Sequence, residues 1–208
     1  MALGTIDHLV VSAATLAEGV AHVETTLGVS MSGRAQAGGE HPLMGTHNRL
    51  LSLGPDTYLE VISINPDAPQ PPHPRWFDLD YFTGDARLTN WVVRVPDLGV
   101  ALTRSPDGTG DVHDLTRGAN RWKMAIPSDG RLPFSACAPG LLSWQGADPA
   151  PALLDQDIRL TGLEITHPAA EGLSVALAPL VVDPRLSVQG GQPGVCATFE
   201  TPGGMVQL

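Results

Sequence analysis

Two ionisable residues in the first third of the chain have the types and positions that chemistry would need. His8 and Glu60 each lie midway along a predicted strand, and the alternation of side chains places each of them on an apolar face. A charged side chain on an apolar face needs a partner, because burying an unpaired charge is costly. The two residues could therefore bind a divalent metal ion or form a buried hydrogen-bonded pair. A strand-edge ion pair of Glu60 with Arg49 is a third interpretation.

Neighbouring polar residues could contact a ligand. A hairpin with its turn at Pro55 and Asp56 would place His47 four positions from Glu60, about 13 Å along the strand. This distance predicts a substrate contact for His47 rather than a third metal ligand. The same register places Arg49 nearer Glu60 and on the face of His47, which favours an ion pair or a clamp for a substrate carboxylate.

Further candidates lie in later parts of the chain. Asn90 and Arg94 share one face of a predicted strand, where they could form a structural hydrogen bond or a polar anchor for a ligand. The tryptophans at 91, 122 and 144 lie in strand-like runs, which favours the core, although one of them could line a binding cup. We predict Trp122 and Asn48 as substrate contacts together with His47, Arg49, Asn90 and Arg94. His41 lies beside Pro42 and is interpreted as a surface loop residue.

The elements that must position these residues begin with a strand, a helix and a hairpin. Residues 3–12 predict a strand, Thr15 caps a helix that ends at Gly28, and residues 48–53 and 58–64 predict the two arms of the hairpin. Residues 1–64 therefore predict a β-α-β-β-β module. Five prolines between residues 65 and 74 exclude a central strand, so residues 65–87 are predicted as a linker with a short helix.

The same pattern recurs beyond the linker. Residues 7–11 match residues 89–93 at an offset of 82, and residues 88–146 predict a second β-α-β-β-β module. Residues 157–208 predict a third, shorter module of this kind. Such repeats imply an α+β fold in which paired modules form a curved, cup-like mixed sheet with helices outside, within one globular unit. A ligand would then bind in the concavity.

Composition limits the classes of function. The chain of 208 residues carries 12 Lys+Arg against 22 Asp+Glu, a net charge of -10, which disfavours nucleic acid as a partner. Lys123 is the sole lysine, so Schiff-base chemistry is disfavoured. The sequence predicts neither a leader nor a membrane span, and we expect a cytoplasmic protein without a membrane partner.

Three short motifs resemble those of glyoxalase-like proteins of the vicinal oxygen chelate superfamily, which includes bleomycin-resistance proteins and extradiol dioxygenases. The motifs occur in the same order as in that superfamily and lie at residues 7–10, 45–50 and 58–61. The resemblance implies paired β-α-β-β-β modules around a cup that binds a small molecule. It also implies a divalent metal held by a His of the first strand and a Glu of the fourth, here His8 and Glu60, with a matching pair from the partner module. The matching positions here are Asn90 and approximately Ser143, which are weak ligands.

The resemblance therefore leaves two functions open. The first is a metal-assisted lyase, isomerase or dioxygenase that acts on a small carbonyl compound, hydroxy acid or aromatic compound, with Glu60 as ligand or catalytic base. The second is a metal-free protein that binds or sequesters a small molecule. An enzyme should converge several polar groups on one spot, whereas a sequestering protein should offer a mostly apolar cup. A homodimer is compatible with either function.

Overall fold

The first part of the chain forms a β-α-β-β-β unit. The computed structural model describes residues 4–31 and 38–208, so residues 1–3 and 32–37 of the predicted first module lie outside the described residues. Thr15 begins the helix with a capping box formed with Glu18, and Gly28 ends it in the left-handed conformation at φ 68°. The elements are β1 (Thr5–Ser12), α1 (Leu16–Leu27), β2 (Gly38–His41), β3 (Thr46–Ser52) and β4 (Tyr58–Ile64).

A second unit of the same kind follows the linker. Its third element, β6, was not predicted, because its polar sequence DVHDLTR gives an exposed edge strand without an apolar face. The elements are β5 (Arg87–Arg94), α2 (Leu98–Leu102), β6 (Asp111–Arg117), β7 (Asn120–Ile126) and β8 (Gly140–Trp144).

The two units join into one eight-stranded mixed sheet with the strand order β2-β3-β4-β1-β5-β8-β7-β6. Its centre is the antiparallel pair β1 and β5, in which His8 lies opposite Val92 and Val10 lies opposite Asn90. The offset of 82 residues relates His8 to Asn90 and Val10 to Val92, so each of these two pairings is the equivalent of the other. The repeat seen in the sequence is therefore an internal twofold. The prediction of repeated modules in a curved α+β sheet with helices outside is confirmed. The side chain of Arg117 on β6 reaches Asn48 on β3, which brings the two ends of the sheet close to each other.

The last part of the chain forms a separate sheet of four strands. Its elements follow one another as a strand, a helix and three strands, and the strand order in the sheet is β10-β9-β11-β12, so that β9 lies between β10 and β11. This sheet packs against β5 on the outer face of the large sheet, where Phe199 and Trp91 belong to the same buried cluster. The elements are β9 (Arg159–Thr166), α3 (Ala170–Leu177), β10 (Leu186–Gln189), β11 (Gly194–Thr201) and β12 (Gly204–Gln207). No helix in the described part of the chain has the length and apolar content to span a bilayer.

A short strap from the linker covers the inner face of the second unit. The strap is a 3-10 segment, Trp76–Tyr81, whose first two side chains pack with Met124 and Leu142. Phe77 and Asp78 have φ values of 58° and 55°, a strained conformation for residues other than glycine. A hydrogen bond of 2.9 Å from the Asp78 N–H to the Gly130 carbonyl holds this turn. The linker prolines thus lead into a segment that packs on the second half of the cup and lines the pocket.

The shared core predicts that the third unit stabilises the whole chain. Phe199 is fully buried, so Phe199→Ala should lower the free energy of unfolding by about 3–5 kcal/mol. Met205→Ala, at a position that is 62% exposed on the neighbouring strand, should change it by less than about 0.5 kcal/mol. Urea denaturation followed by tryptophan fluorescence measures both. Two separate unfolding transitions, of which Phe199→Ala shifts only one, would contradict the shared core.

Candidate functional site

A bulge in β1 begins the site. Ile6 pairs with Val93 and His8 pairs with Val92, so Asp7 is one extra residue in β1. β-Bulges change the direction of side chains and are common beside active sites. Asp7 is fully buried, accepts a hydrogen bond of 2.8 Å from Nε1 of Trp144, and lies 2.7 Å from Nδ1 of His8. The bulge therefore brings the Asp7 carboxylate to the side of the His8 ring.

His8 and Glu60 meet on the inner face of the sheet. In the parallel pairing of β1 with β4, His8 lies opposite Tyr58 and Val10 lies opposite Glu60. The rings of His8 and Tyr58 stack with their centroids 4.6 Å apart. Nε2 of His8 lies 3.5 Å from Oε2 of Glu60, and both side chains are more than nine-tenths buried. Asp7, His8 and Glu60 thus form a line of three ionisable groups away from solvent.

Asn48 binds the other oxygen of Glu60. Its Nδ2 donates to Oε1 of Glu60, while its Oδ1 accepts from the Gly39 N–H at 3.0 Å and from Nη1 of Arg117 at 2.9 Å. These partners fix the orientation of the amide, because the opposite orientation would aim Nδ2 at two donors. Asn48 therefore lies between the carboxylate of Glu60 and the guanidinium of Arg117.

His41 lies beside this amide as a neutral ring. Its Nε2 is 3.0 Å from Nδ2 of Asn48 and 3.3 Å from Nη1 of Arg117, and both of these atoms are donors. Nε2 must therefore accept, which places the ring proton on Nδ1. Burial, together with the charge of Arg117, lowers the pKa of His41 to about 4.

His8 and Glu60 stabilise each other's charged forms. Burial lowers the pKa of His8, but the hydrogen bonds and negative charges of Asp7 and Glu60 outweigh this effect and raise the pKa to about 9. Burial raises the pKa of Glu60, but His8 and Asn48 together lower it to about 2. In the metal-free protein an imidazolium therefore lies between two carboxylates at neutral pH.

These groups form one end of a pocket with aromatic walls. The pocket has about 390 Å³ of space outside protein atoms when the open solvent at its mouth is included, around a cavity of about 30 Å³. The polar groups His8, Glu60, Asn48, His41 and Arg117 all line it. The remaining walls are mainly aromatic and come from Tyr58, Trp76, Phe77, Trp122 and Trp144. The cup thus combines converging polar groups with a mostly apolar wall.

The second half of the cup lacks the matching ligands. The twofold relates His8 to Asn90 and Glu60 to Gly140, because Val10 lies opposite Glu60 and the equivalent Val92 lies opposite Gly140. The expected equivalent of Glu60, approximately Ser143, is therefore wrong by three residues, since the sequence alone did not fix the register of β8. A Cβ atom at Gly140 would lie 3.7 Å from the ring of Phe77, so the strap is packed where a ligand side chain would stand.

The structure brings together four of the predicted site residues, and all four line the pocket: His8, Asn48, Glu60 and Trp122. The predicted hairpin register is wrong by one residue, because Leu50 and not Leu51 lies opposite Glu60. This shift turns every side chain of β3 to the other face. Asn48 therefore binds Glu60, whereas Arg49 is exposed and His47 lies 2.8 Å from the Ser63 hydroxyl.

The other two predicted contacts do not line the pocket either. Asn90 is buried on β5, and its Nδ2 has no hydrogen-bond partner among the described residues. Arg94 donates to the Asp56 carbonyl at 2.7 Å and lies 3.8 Å from Oδ2 of Asp7. Arg94 thus supports the charge of Asp7 from outside the pocket.

Several residues of the site were missed in the sequence, including Tyr58 and Phe77 of the aromatic wall. His41 is an 8% exposed wall residue on β2 and not a surface loop residue, and Trp76 follows the proline-rich linker. Asp7 would face away from His8 under regular alternation, so only the bulge brings it into the site. Arg117 ends the polar edge strand and reaches across from the second unit. The position of Asp7 next to His8 was the one feature of the sequence that could have indicated any of these contacts. Nothing in the sequence indicated the contact of Arg117 with Asn48.

The divalent metal that the resemblance implies would find two ligands here, His8 and Glu60. The separation of 3.5 Å between Nε2 of His8 and Oε2 of Glu60 is long for a hydrogen bond. Two ligand atoms that share one tetrahedral ion lie about 3.4 Å apart, which matches this separation. The bond from Nδ1 of His8 to Asp7 is the contact by which proteins orient a metal-binding imidazole. In the described ranges no cluster of three His, Cys, Asp or Glu side chains could hold a metal, so these residues fit a two-ligand site and not the four-ligand site.

Comparison with known proteins identifies the family. A family model described as a glyoxalase-like domain matches residues 6–181. The chain belongs to this family. It is thereby a member of the vicinal oxygen chelate superfamily, as the three motifs predicted. A search of the curated proteins found no match.

Several solved structures are similar to this chain in fold. A hypothetical protein from Staphylococcus aureus has a TM-score of 0.60 at 9% identity, covering 92% of this chain and 88% of that one. Methylmalonyl-CoA epimerase from Streptomyces coelicolor has a TM-score of 0.44 at 14% identity, covering 71% of this chain and 100% of that one. The epimerase from Mycobacterium tuberculosis has a TM-score of 0.42 at 15% identity, covering 71% and 91%. At these identities the likeness concerns the fold and not the substrate.

The buried pair predicts a dependence of stability on pH in the metal-free protein. The raised pKa of His8 gives a stabilisation that is complete below pH 6.5 and is lost as the pH rises through about 9. The lowered pKa of Glu60 gives one that is complete above pH 4.5 and is lost as the pH falls through about 2. With a chelator present, the contribution of this pair to the free energy of unfolding should therefore be greatest between pH 4.5 and pH 6.5.

His8→Gln removes the titrating ring and measures the alkaline part of this effect. Between pH 6 and pH 10 the wild type should lose roughly 3 kcal/mol more stability than this variant in urea denaturation. His113→Gln, which changes an exposed histidine of β6, should retain the wild-type profile. Equal alkaline losses in the wild type and in His8→Gln would contradict the ion pair.

Proposed function

We propose that this glyoxalase-like protein is an enzyme that binds a small oxygen-bearing organic molecule in the cup and holds one divalent metal ion at His8 and Glu60. The observation that carries the proposal is the arrangement of these two side chains. Their nearest N and O atoms are 3.5 Å apart, and Asp7 orients the imidazole from its far side. Such an ion would polarise the oxygens of the bound molecule and leave coordination positions open to it.

The residues of this chain have distinct tasks in the proposal. His8 presents Nε2 because Asp7 holds Nδ1, and Asn48 fixes the second oxygen of Glu60, so that Glu60 cannot rotate away. The low pKa of Glu60 favours a role as ligand over that of a proton acceptor, since a general base works best with a pKa near the working pH. Trp122 and the other aromatic walls exclude water and hold the apolar part of the molecule. The reaction belongs to lyase, isomerase or dioxygenase chemistry in this proposal.

The second candidate is a metal-free protein that binds or sequesters a small molecule. The absence of the matching ligands favours it, because Asn90 and Gly140 stand where the other half of a four-ligand site would be. The aromatic walls favour it as well. In that case His8 and Glu60 only form hydrogen bonds to the bound molecule.

The cellular setting belongs to the same proposal. We propose a cytoplasmic protein whose partner is a small molecule rather than a nucleic acid or a membrane, and which can form a homodimer. The net charge of -10 supports the exclusion of nucleic acid.

Elemental analysis of protein purified without chelator tests the metal. The wild type should contain about one divalent ion per chain, and His8→Gln and Glu60→Gln should each lose it. Asp7→Asn keeps both ligands and removes only the orienting carboxylate, so the affinity for the metal should fall by about 10- to 100-fold. His47→Gln and Asp155→Asn are matched controls, because neither residue lines the pocket and Asp155 pairs only with Arg159 among the described salt bridges.

Two outcomes would contradict the metal site. One is a folded wild type that is free of metal and stays so when divalent ions are added. The other is metal that the two ligand variants retain in full. If a metal-free wild type still binds aromatic molecules in the cup, the sequestering function replaces the enzyme.

A further inference from the structure

Arg117 is a cation of the pocket wall whose charge no carboxylate of the described chain neutralises. Its hydrogen bonds run through Nη1 to two uncharged groups, the amide oxygen of Asn48 and the ring nitrogen of His41. Five other arginines in the described part of the chain do form salt bridges with an aspartate, namely Arg75, Arg94, Arg131, Arg159 and Arg185. Among the described residues, Nη2 and Nε of Arg117 have no hydrogen-bond partner and remain available to a ligand.

A second donor without an acceptor lies in the same wall. Trp76 is 4% exposed and lines the pocket, and its Nε1 has no hydrogen-bond partner in the described part of the chain. Its ring lies 5.0 Å from the ring of His41, the same ring that Nη1 of Arg117 approaches to 3.3 Å. Buried donors nearly always have an acceptor, so this N–H indicates one that the protein does not supply.

The amide of Asn48 separates this part of the pocket from the acidic end. Its Nδ2 faces Glu60 and its Oδ1 faces Arg117. A negative charge placed at Arg117 would therefore be one amide group away from the Glu60 carboxylate and would not touch it. The pocket thus has donors without an acceptor at Arg117 and Trp76, apart from the pair His8 and Glu60.

We propose that the molecule bound in the cup is an aromatic carboxylic acid whose carboxylate binds Arg117 and the Nε1–H of Trp76. This inference rests on the proposed function, because it names the class of molecule that the same cup would take. The guanidinium offers two parallel N–H groups to a carboxylate, the geometry in which arginine binds most strongly. In this arrangement the ring of the acid lies between the aromatic walls that include Trp122 and Trp144, and a further oxygen-bearing group, where the acid has one, faces His8 and Glu60.

Matched acids and amides test this inference without knowledge of the natural substrate. The probes are benzoate, phenylacetate and benzoylformate, each compared with its primary amide. Titrations monitored by tryptophan fluorescence and calorimetry should show at least one acid that binds about tenfold or more tightly than its amide. The comparison uses the wild-type protein, so it does not depend on the folding of any variant.

Two variants and a control show which hydrogen-bond donors cause the preference for acids over amides. Arg117→Gln should reduce the preference for acid over amide to about onefold, and Trp76→Phe should weaken binding of the acid by several fold while keeping an aromatic ring. Arg121→Gln, at an exposed position of the neighbouring strand β7, should leave the preference unchanged. Circular dichroism checks that each variant is folded.

The inference is overturned if acids and amides bind equally, if none of the three acids binds at millimolar concentration, or if folded Arg117→Gln retains the preference. Metal analysis of the same samples separates this result from the proposed function. Metal without a preference for acids would overturn the inference and leave the metal site standing. A preference for acids in a metal-free protein would support the inference and contradict the metal site.

Discussion

The buried contact of His8 with Asp7 on one side and Glu60 on the other is the constraint on which the rest of the site depends. Three ionisable groups can remain inside an apolar sheet because each charge has an opposite neighbour within a few ångströms. The bulge in β1 makes this arrangement possible, since a regular strand would direct Asp7 away from His8. Trp144 and Arg94 then bind the second oxygen of Asp7, from β8 and β5. A local irregularity of one strand thus links several elements to the same carboxylate.

The two halves of the cup differ although an internal twofold relates their strands. The same β-α-β-β-β unit occurs twice, yet the position of Glu60 in the first half is Gly140 in the second. Without a side chain there, the strap can place Phe77 against the sheet, at the cost of two left-handed backbone conformations. One half of the cup therefore contains the charged pair His8 and Glu60, and the other contains the packed ring of Phe77. The pocket lies where the two halves meet.

Much of the fold could be predicted from the sequence, because apolar alternation, the Thr15 cap and the offset of 82 residues are local or repeated signals. The first and last strands of the first unit and its helix lie where they were expected. Strand β6 carried no such signal, since its polar sequence reads as a loop. The hairpin between β3 and β4 was predicted, but its register was not, and an error of one residue exchanged Asn48 for Arg49 beside Glu60. Contacts across the sheet, such as that of Arg117 with Asn48, depend on curvature that no short segment encodes.

The protonation state of His8 in the metal-free protein is the most direct test of the central interaction. Nitrogen-15 NMR of the histidine side chains, with chelator present and His8→Gln used to assign the signal, reports whether one or both ring nitrogens carry a proton. The account predicts an imidazolium at pH 7, with both nitrogens protonated until the pH approaches about 9. A neutral His8 ring at pH 7 in the folded, metal-free protein would contradict it.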